Sequence, residues 1–314
     1  MCRLINAVKA AKFLREHDKY LILTHASPDG DTLGSGYALC EALIKIGKQA
    51  KVVCPEEAPG KFDYLKVMVD EFEHETVIAV DVADEKLLGN LCEQFSNKID
   101  LCIDHHQSNL KFAKKLYLEG DSASACECVY NVINALGVEI TPHIADCLYT
   151  GIATDTGCFK FSNTTARTHA IAAELFKKGA NYSEINRVMF EVKSRQRVEM
   201  ERLVLENIEF WFNGRCAIIT VTQDMIKSTG CSGGDLDGIT ALSRQIEGVV
   251  IGITVREKAD GKYKVSLRTF PPYDASQICK TFGGGGHANA AGCEFSCALD
   301  EVKEKLKAGI KDII

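Results

Sequence analysis

The sequence predicts an α/β protein: a doubly wound parallel five-stranded sheet, joined by a helical linker to a smaller mixed α/β domain. Three observations predict it. In the first half, short apolar runs alternate with helical stretches, the pattern of strand–helix units around a parallel sheet. Three of those runs end in acid or imidazole side chains, and in open α/β sheets ligands bind beyond the carboxyl ends of the strands. In the second half the chain changes to strand-like segments with few helices between them. The length of 314 residues suits about two domains. The expected boundaries are 1–190 for the first domain, 191–212 for the linker and 213–314 for the second.

Residues 4–17 carry helical spacing at Leu4, Ala7, Val8, Ala11, Phe13 and Leu14. Tyr20 to Thr24 is a buried-strand run. It ends in His25-Ala26-Ser27-Pro28-Asp29-Gly30-Asp31, and a helix then runs to about Ile46. Gln49 to Cys54 reads as the second strand. Thr76 to Val80 is the third, ending in Asp81 with Asp84 after it. Ile99 to Ile103 is the fourth, ending in Asp104-His105-His106 and then Asn109. Helices are expected over 122–136 and 142–154, the second running into Asp155-Thr156-Gly157. Two short helices should fill 165–191, and a long, exposed connector helix 194–211. Cys216 to Val221, Val249 to Val255 and Tyr263 to Phe270 are strand-like, with a helix over 236–246 that Asp235 and Asp237 would cap. A glycine run, Gly283 to Gly286, leads into His287, and an amphipathic helix over 299–314 closes the chain. There is no internal repeat.

Hydrophobic residues make up 46% and charged residues 25%, an ordinary globular composition. The net charge of −6 argues against a surface that grips long nucleic acid, because such binding rests on Lys and Arg neutralising phosphates. A local basic pocket for a short phosphate-rich ligand remains compatible with it. The fourteen cysteines are scattered, mostly inside apolar stretches. They read as reduced core residues of a cytoplasmic enzyme rather than as disulfides or a zinc site. No apolar run is long enough to span a bilayer.

The strand-end residues His25, Asp29, Asp31, Asp81, His105 and Asp155 should converge on one edge of one sheet. A polar turn or an Asp helix cap is the bland alternative for each, but one cap needs one Asp. Four carboxylates packed together raise each other's pKa unless cations sit among them. Two divalent ions would solve that. Mixed nitrogen and oxygen ligands without thiolate point to Mn²⁺, with Mg²⁺, Fe²⁺ and Co²⁺ as competitors. A two-ion site suits activation of a water for in-line displacement at phosphorus.

These residues carry a resemblance. The stretch from His25 to Asp31 resembles the first motif of the DHH phosphoesterases, Asp81-Val82-Ala83-Asp84 the second, Asp104 to Asn109 the third and Asp155-Thr156-Gly157 the fourth. Gly283 to His287 with Ala290-Ala291-Gly292 resembles the glycine-rich motif of the DHHA1 domain. The motifs stand in family order over nearly the whole chain, and the two-domain build resembles the small nano-RNases that are also pAp phosphatases. The resemblance implies hydrolysis of two- to five-nucleotide RNA, including pApA, and dephosphorylation of pAp. It implies His25, Asp29 and Asp81 on one metal, and Asp31, Asp81, His105 and Asp155 on the other, with Asp81 bridging. His106 would face the scissile phosphate and Asp104 would orient a histidine. Asn109, Arg268, His287 and the backbone of Gly284, Gly285 and Gly286 would bind substrate in a cleft between the domains. A homodimer is expected by the same resemblance. The chain departs from the pattern at Lys160, where Arg is common, and at Gly283, which lengthens the glycine run. The alternatives are a pyrophosphatase, polyphosphatase or cyclic-dinucleotide phosphodiesterase on the same scaffold. From another class comes a silent nucleotide sensor, which would be expected to lack one of the six ligands.

Overall fold

Tyr20 to Leu23 is a run of four large apolar side chains with no polar alternation, so it can be stable only where both faces are covered. All four are buried. The computed structural model describes residues 2–236 and 238–314; Asp237, expected in a helix cap, lies outside them. The chain forms two units, Met1–Val192 and Lys193–Ile314.

The first unit runs β1 (Arg3–Ile5), α1 (Ala7–Glu16), β2 (Tyr20–Leu23), α2 (Gly30–Lys45), β3 (Ala50–Val53), β4 (Thr76–Val80), α3 (Cys92–Phe95), β5 (Leu101–Asp104), β6 (Lys115–Leu118), α4 (Ala125–Leu136), α5 (Pro142–Asp155), α6 (Ala166–Lys177) and α7 (Tyr182–Asn186). Its sheet has the order β1-β6-β5-β4-β2-β3, and every pairing is parallel. The sheet has six strands instead of five. The two beyond the four runs named above are β6 and β1, and Leu4 and Ile5 of β1 fall in the stretch whose spacing predicts the first helix. Three residues are too few to show a period, and Leu4 on it is exposed.

The strands bury alternate residues on opposite faces. Ile22, Ile78, Val80, Leu101 and Ile103 join α1, α2, α4 and α5 in one cluster. Leu21, Leu23, Val77, Ala79, Cys102 and Leu116 form a second cluster on the other face, with Leu88 and Phe95. Each such aliphatic side chain contributes about 1.5–3 kcal/mol relative to exposure, so strand register is fixed from both sides.

The second unit holds α8 (Arg195–Glu206), β7 (Glu209–Trp211), β8 (Cys216–Val221), α9 (Gln223–Thr229), α10 (Ile239–Leu242), β9 (Ile251–Glu257), β10 (Tyr263–Thr269), α11 (Ala275–Lys280), β11 (Gly285–His287), β12 (Ala290–Phe295) and α12 (Leu299–Lys311). Its sheet has the order β11-β12-β10-β9-β8-β7; the β8–β9 pair is parallel and the rest antiparallel. The stretch read as a connector lies inside this unit. Met200 and Val204, one helical turn apart on α8, are buried against Ile219, Val221 and Leu236, and β7 is an edge strand of the sheet. The helix expected over 236–246 is only the single turn α10, which begins after Gly238 in the left-handed region (φ 76°). Asp235 accepts hydrogen bonds from Ser194 Oγ and from the Ser232 amide and hydroxyl, tying this loop to the start of α8. All fourteen cysteines are free thiols. Among the described residues no helix is long and apolar enough to cross a membrane.

Candidate active site

From β2 the chain moves to β3 on one side and then crosses to β4 on the other. The topological switch point therefore falls between β2 and β4, and ligands of open α/β sheets bind in the crevice this reversal opens. The loop leaving β2 brings His25, Asp29 and Asp31; β4 ends directly on Asp81.

Asp29 divides its carboxylate between two tasks. Oδ1 caps α2 by accepting from the Asp31 and Thr32 amides at 3.0 Å, and Oδ2 lies 3.6 Å from His25 Nε2. Asp31, one residue into α2, is fully buried. Its carboxylate accepts from the Ala125 and Cys126 amides at 2.6 and 2.9 Å, the first turn of α4, where unsatisfied N–H groups and the helix dipole favour negative charge. Burial nevertheless pushes its pKa up. Asp81 is also buried and has φ 58°, a left-handed conformation that Asp tolerates better than a branched residue would. Its Oδ2 is 3.5 Å from His25 Nε2, and its Oδ1 is 3.6 Å from His105 Nε2. Burial first, and Asp31 next, push the Asp81 pKa well up.

His105 donates Nδ1–H to the Ser122 carbonyl at 3.2 Å, which fixes its tautomer and turns the Nε2 lone pair into the cluster. Nε2 lies 3.5 Å from Asp155 and 3.8 Å from Asp31. Asp155 is the last residue of α5, and burial together with Asp31 and Asp81 pushes its pKa up to about 10. Burial opposes charge on His25, but Asp29 and Asp81 outweigh it and push that ring up to about 10.

Close helix packing makes the convergence possible. A Cβ at Gly151 of α5 would stand 2.3 Å from Cys126 Sγ and 2.6 Å from Asp31 Oδ1; one at Gly34 of α2 would stand 2.3 Å from the Cys147 carbonyl. Small residues at these crossings let α2, α4 and α5 approach until Asp31 and Asp155 share a site.

His106 points its Nδ1 to Asp104 Oδ1 at 2.8 Å, which pushes the ring up to about 9, and its side chain is 42% exposed. Asp104 is buried and also accepts from the His105 and His106 amides. Asn109, expected among the substrate contacts, is instead a buried brace. Its amide donates to Asp104 Oδ2 at 2.7 Å and to the Val82 carbonyl, and its Oδ1 accepts from the Lys111 amide, so no group is left for a ligand. Lys160 is exposed on the turn after Asp155.

The donor set fits divalent ions. His25, Asp29 and Asp81 form one group, and Asp31, His105 and Asp155 another, each with ligand atoms within 4.8 Å; Asp81, His105 and His106 form a third. Buried Asp81 Oδ1 and His105 Nε2 have no hydrogen-bond partner among the described residues. Separations of 3.5–3.6 Å are too long for hydrogen bonds. Two ligands at about 2.0–2.2 Å from one ion stand roughly 3–3.5 Å apart, so a small inward adjustment would satisfy them.

In the second unit, strand register aligns Gly252, Arg268, Ala290 and His287 across β9, β10, β12 and β11. Directly opposed residues share a face, so Arg268 and His287 flank the small side chain of Ala290. Burial, and then Arg244, hold the Arg268 pKa down, placing a second guanidinium in its neighbourhood. Arg244 was not singled out from the sequence, because nothing in its local pattern marks it; only the fold brings it near Arg268. Gly284 and Gly286 are required by packing, since a Cβ would meet the Gly292 and Ala290 carbonyls at 2.2 and 2.6 Å, whereas Gly285 faces open space.

A parallel sheet that gathers imidazoles and carboxylates at its switch point, with a mixed-sheet second unit, defines a two-unit α/β protein with a centre able to hold divalent ions. Residues 19–152 match the DHH family N-terminal domain and residues 214–314 the DHHA1 domain, so the chain belongs to the DHH family of phosphoesterases. It is 33% identical over 304 residues to the bifunctional oligoribonuclease and PAP phosphatase NrnA of Thermus thermophilus, covering 93% of this chain and 89% of that protein. An exopolyphosphatase-related protein from Bacteroides fragilis shares the fold with TM-score 0.87 and 24% identity, over 98% of this chain and 96% of that one. RecJ from Thermus thermophilus, solved with Mn²⁺, matches at TM-score 0.59 and 14% identity over 98% of this chain and 55% of its own.

Proposed function

We propose that the chain hydrolyses short oligoribonucleotides, including dinucleotides such as pApA, to mononucleotides and removes a phosphate from pAp. The observation that carries this reading is the 33% identity to a bifunctional oligoribonuclease and PAP phosphatase across nearly the whole of both chains. The six-residue cluster supports it. His25, Asp29 and Asp81 would hold one ion, and Asp31, His105 and Asp155, with Asp81 shared, the other; Mn²⁺ is the expected ion for this donor set. Such an ion pair supplies charge to neutralise the phosphate oxygens and to lower the pKa of the attacking water.

The protein's own groups do the rest. His106 keeps Nδ1 on Asp104, so its other ring nitrogen is free to meet a phosphate oxygen. Burial would raise the Asp104 pKa, but the His106 ring first, then Asn109 and the His106 amide, outweigh it and hold the pKa down, so Asp104 stays ionised and in place. Arg268 and His287 would take substrate phosphate from the second unit, as charge-assisted hydrogen bonds.

The test is a product profile with Mn²⁺ on pAp, pApA, a five-nucleotide RNA, a 24-nucleotide RNA and pyrophosphate. Turnover of the first three, with little on the last two, is the expected result. Preferential cleavage of pyrophosphate would replace this reading with the pyrophosphatase alternative.

A further inference from the structure

The same face of the second sheet that carries Arg268 continues along the strands. One register step from Arg268 lies the cross-strand row Ile219, Thr254, Ser266 and Gly292, and one step further Val221, Arg256, Lys264 and Glu294. Residues two apart on a strand repeat about every 6.7 Å, so Lys264 stands roughly 13 Å along β10 from Arg268. Over these rows opens a cavity of about 80 Å³, lined by Thr254, Ser266, Arg256 and Lys264 and walled by Leu236 and Ile239.

Three features set this cavity apart from a packing defect. Thr254 is 3% exposed, and its hydroxyl has no hydrogen-bond partner among the described residues, a costly arrangement unless something enters to meet it. Arg256 and Lys264 make no ion pair among the described residues. The acid nearest in register, Glu294 opposite Lys264, is already engaged by Lys258 at 2.8 Å and Lys262 at 3.2 Å. Two exposed cations and the hydroxyls of Thr240, Thr254 and Ser266, all able to donate, line a cavity whose lining carries no acidic side chain, which is the complement of a phosphate group.

We propose that this cavity is a phosphate subsite, taking a backbone phosphate one or two nucleotides along from the phosphate gripped by Arg268. The proposal rests on the function proposed above, in that its ligand is the longer of the short RNA substrates. It assigns Thr254, Arg256, Lys264 and Ser266 to length discrimination: a strand of four or five nucleotides reaches the cavity, whereas pAp and a dinucleotide end before it.

The experiment compares the full-length Mn²⁺-loaded wild type with Arg256→Gln/Lys264→Gln, and separately with Thr254→Val, on pAp, pApA and a five-nucleotide RNA. For the double variant, KM for the five-nucleotide RNA should rise on the order of 10-fold, with kcat unchanged and pAp and pApA kinetics unaltered. The slope of log(kcat/KM) against log salt for that RNA should flatten by about 1.4, two charges at about 0.7 each. Thr254→Val, which keeps the shape and removes the hydroxyl, should raise the same KM severalfold. Equal effects on all three substrates, or no effect on the longest, would overturn the subsite. If the wild type cleaved none of the three, the function proposed above would have failed instead. The subsite would then be judged by calorimetric titration with inorganic pyrophosphate: saturable binding lost in the double variant upholds it, and binding equal to wild type overturns it.

Discussion

At the scale of single residues, Asp81 has the most consequences. It is the carboxylate whose two oxygens face His25 on one side and His105 on the other. Asp81→Ala should abolish turnover and weaken binding of both ions, read by metal analysis of the purified variant beside its activity; near wild-type rates at low Mn²⁺ would remove Asp81 from the shared position. Asp104→Asn keeps the shape and removes the charge that His106 leans on, and an orienting partner of this kind is worth about 10–100-fold in activity or metal affinity. The cluster also sets a pH dependence. With ions stripped, folded Asp155 and His25 hold their protons up to about pH 10, whereas their ordinary values are 3.8 and 6.5. The folded state then binds more protons than the unfolded one through that window, so stability falls as pH rises. Bound ions need deprotonated ligands and reverse the trend. Melting temperature in chelator should therefore drop from about pH 5.5 to 9, and the gap to the Mn²⁺-loaded protein should widen; a chelated protein whose stability climbs with pH would contradict this account.

At the scale of elements, the site depends on how closely three helices cross. Asp31 sits on α2, its amide donors on α4 and Asp155 at the end of α5, and no side-chain adjustment compensates if α5 is held further out. Gly151→Ala places a methyl where Cys126 Sγ and Asp31 Oδ1 already are. Overpacking of this kind costs about 1–3 kcal/mol, and here it also displaces a carboxylate from the cluster. The expected result is a lower denaturation midpoint with activity reduced more than stability explains; an unchanged midpoint would mean the helices relax apart freely. Some elements were readable without the fold. The runs of β2, β4 and β5 end on His25, Asp81 and Asp104 because apolar side chains stop where the sheet does. Edge strand β1 and its neighbour β6 were not readable, because three or four residues carry no clear alternation.

At the scale of the whole molecule, net charge is −6 and the phosphate-binding candidates are few, so a long strand finds no extended basic track. Catalytic efficiency should fall steeply from dinucleotide to 24-nucleotide RNA. Arg268→Ala should weaken binding of short substrates while leaving both metal positions filled, and comparable efficiency on long and short RNA would point to a general exonuclease. By itself the sequence determined the fold class, the two-part organisation and the six metal-competent residues, because apolar runs and the polar side chains that end them are local properties. What only tertiary structure decided was which of those residues meet and which polar groups are already spent. Asn109 looks available in sequence, yet its amide is committed to Asp104 and Val82. Arg244, Arg256 and Lys264 look like ordinary surface residues and Thr254 like one more residue of a strand, yet helix placement and strand register set them around Arg268 and a cavity. Such relations join residues far apart in the chain, and they exist only once the sheets have fixed their register.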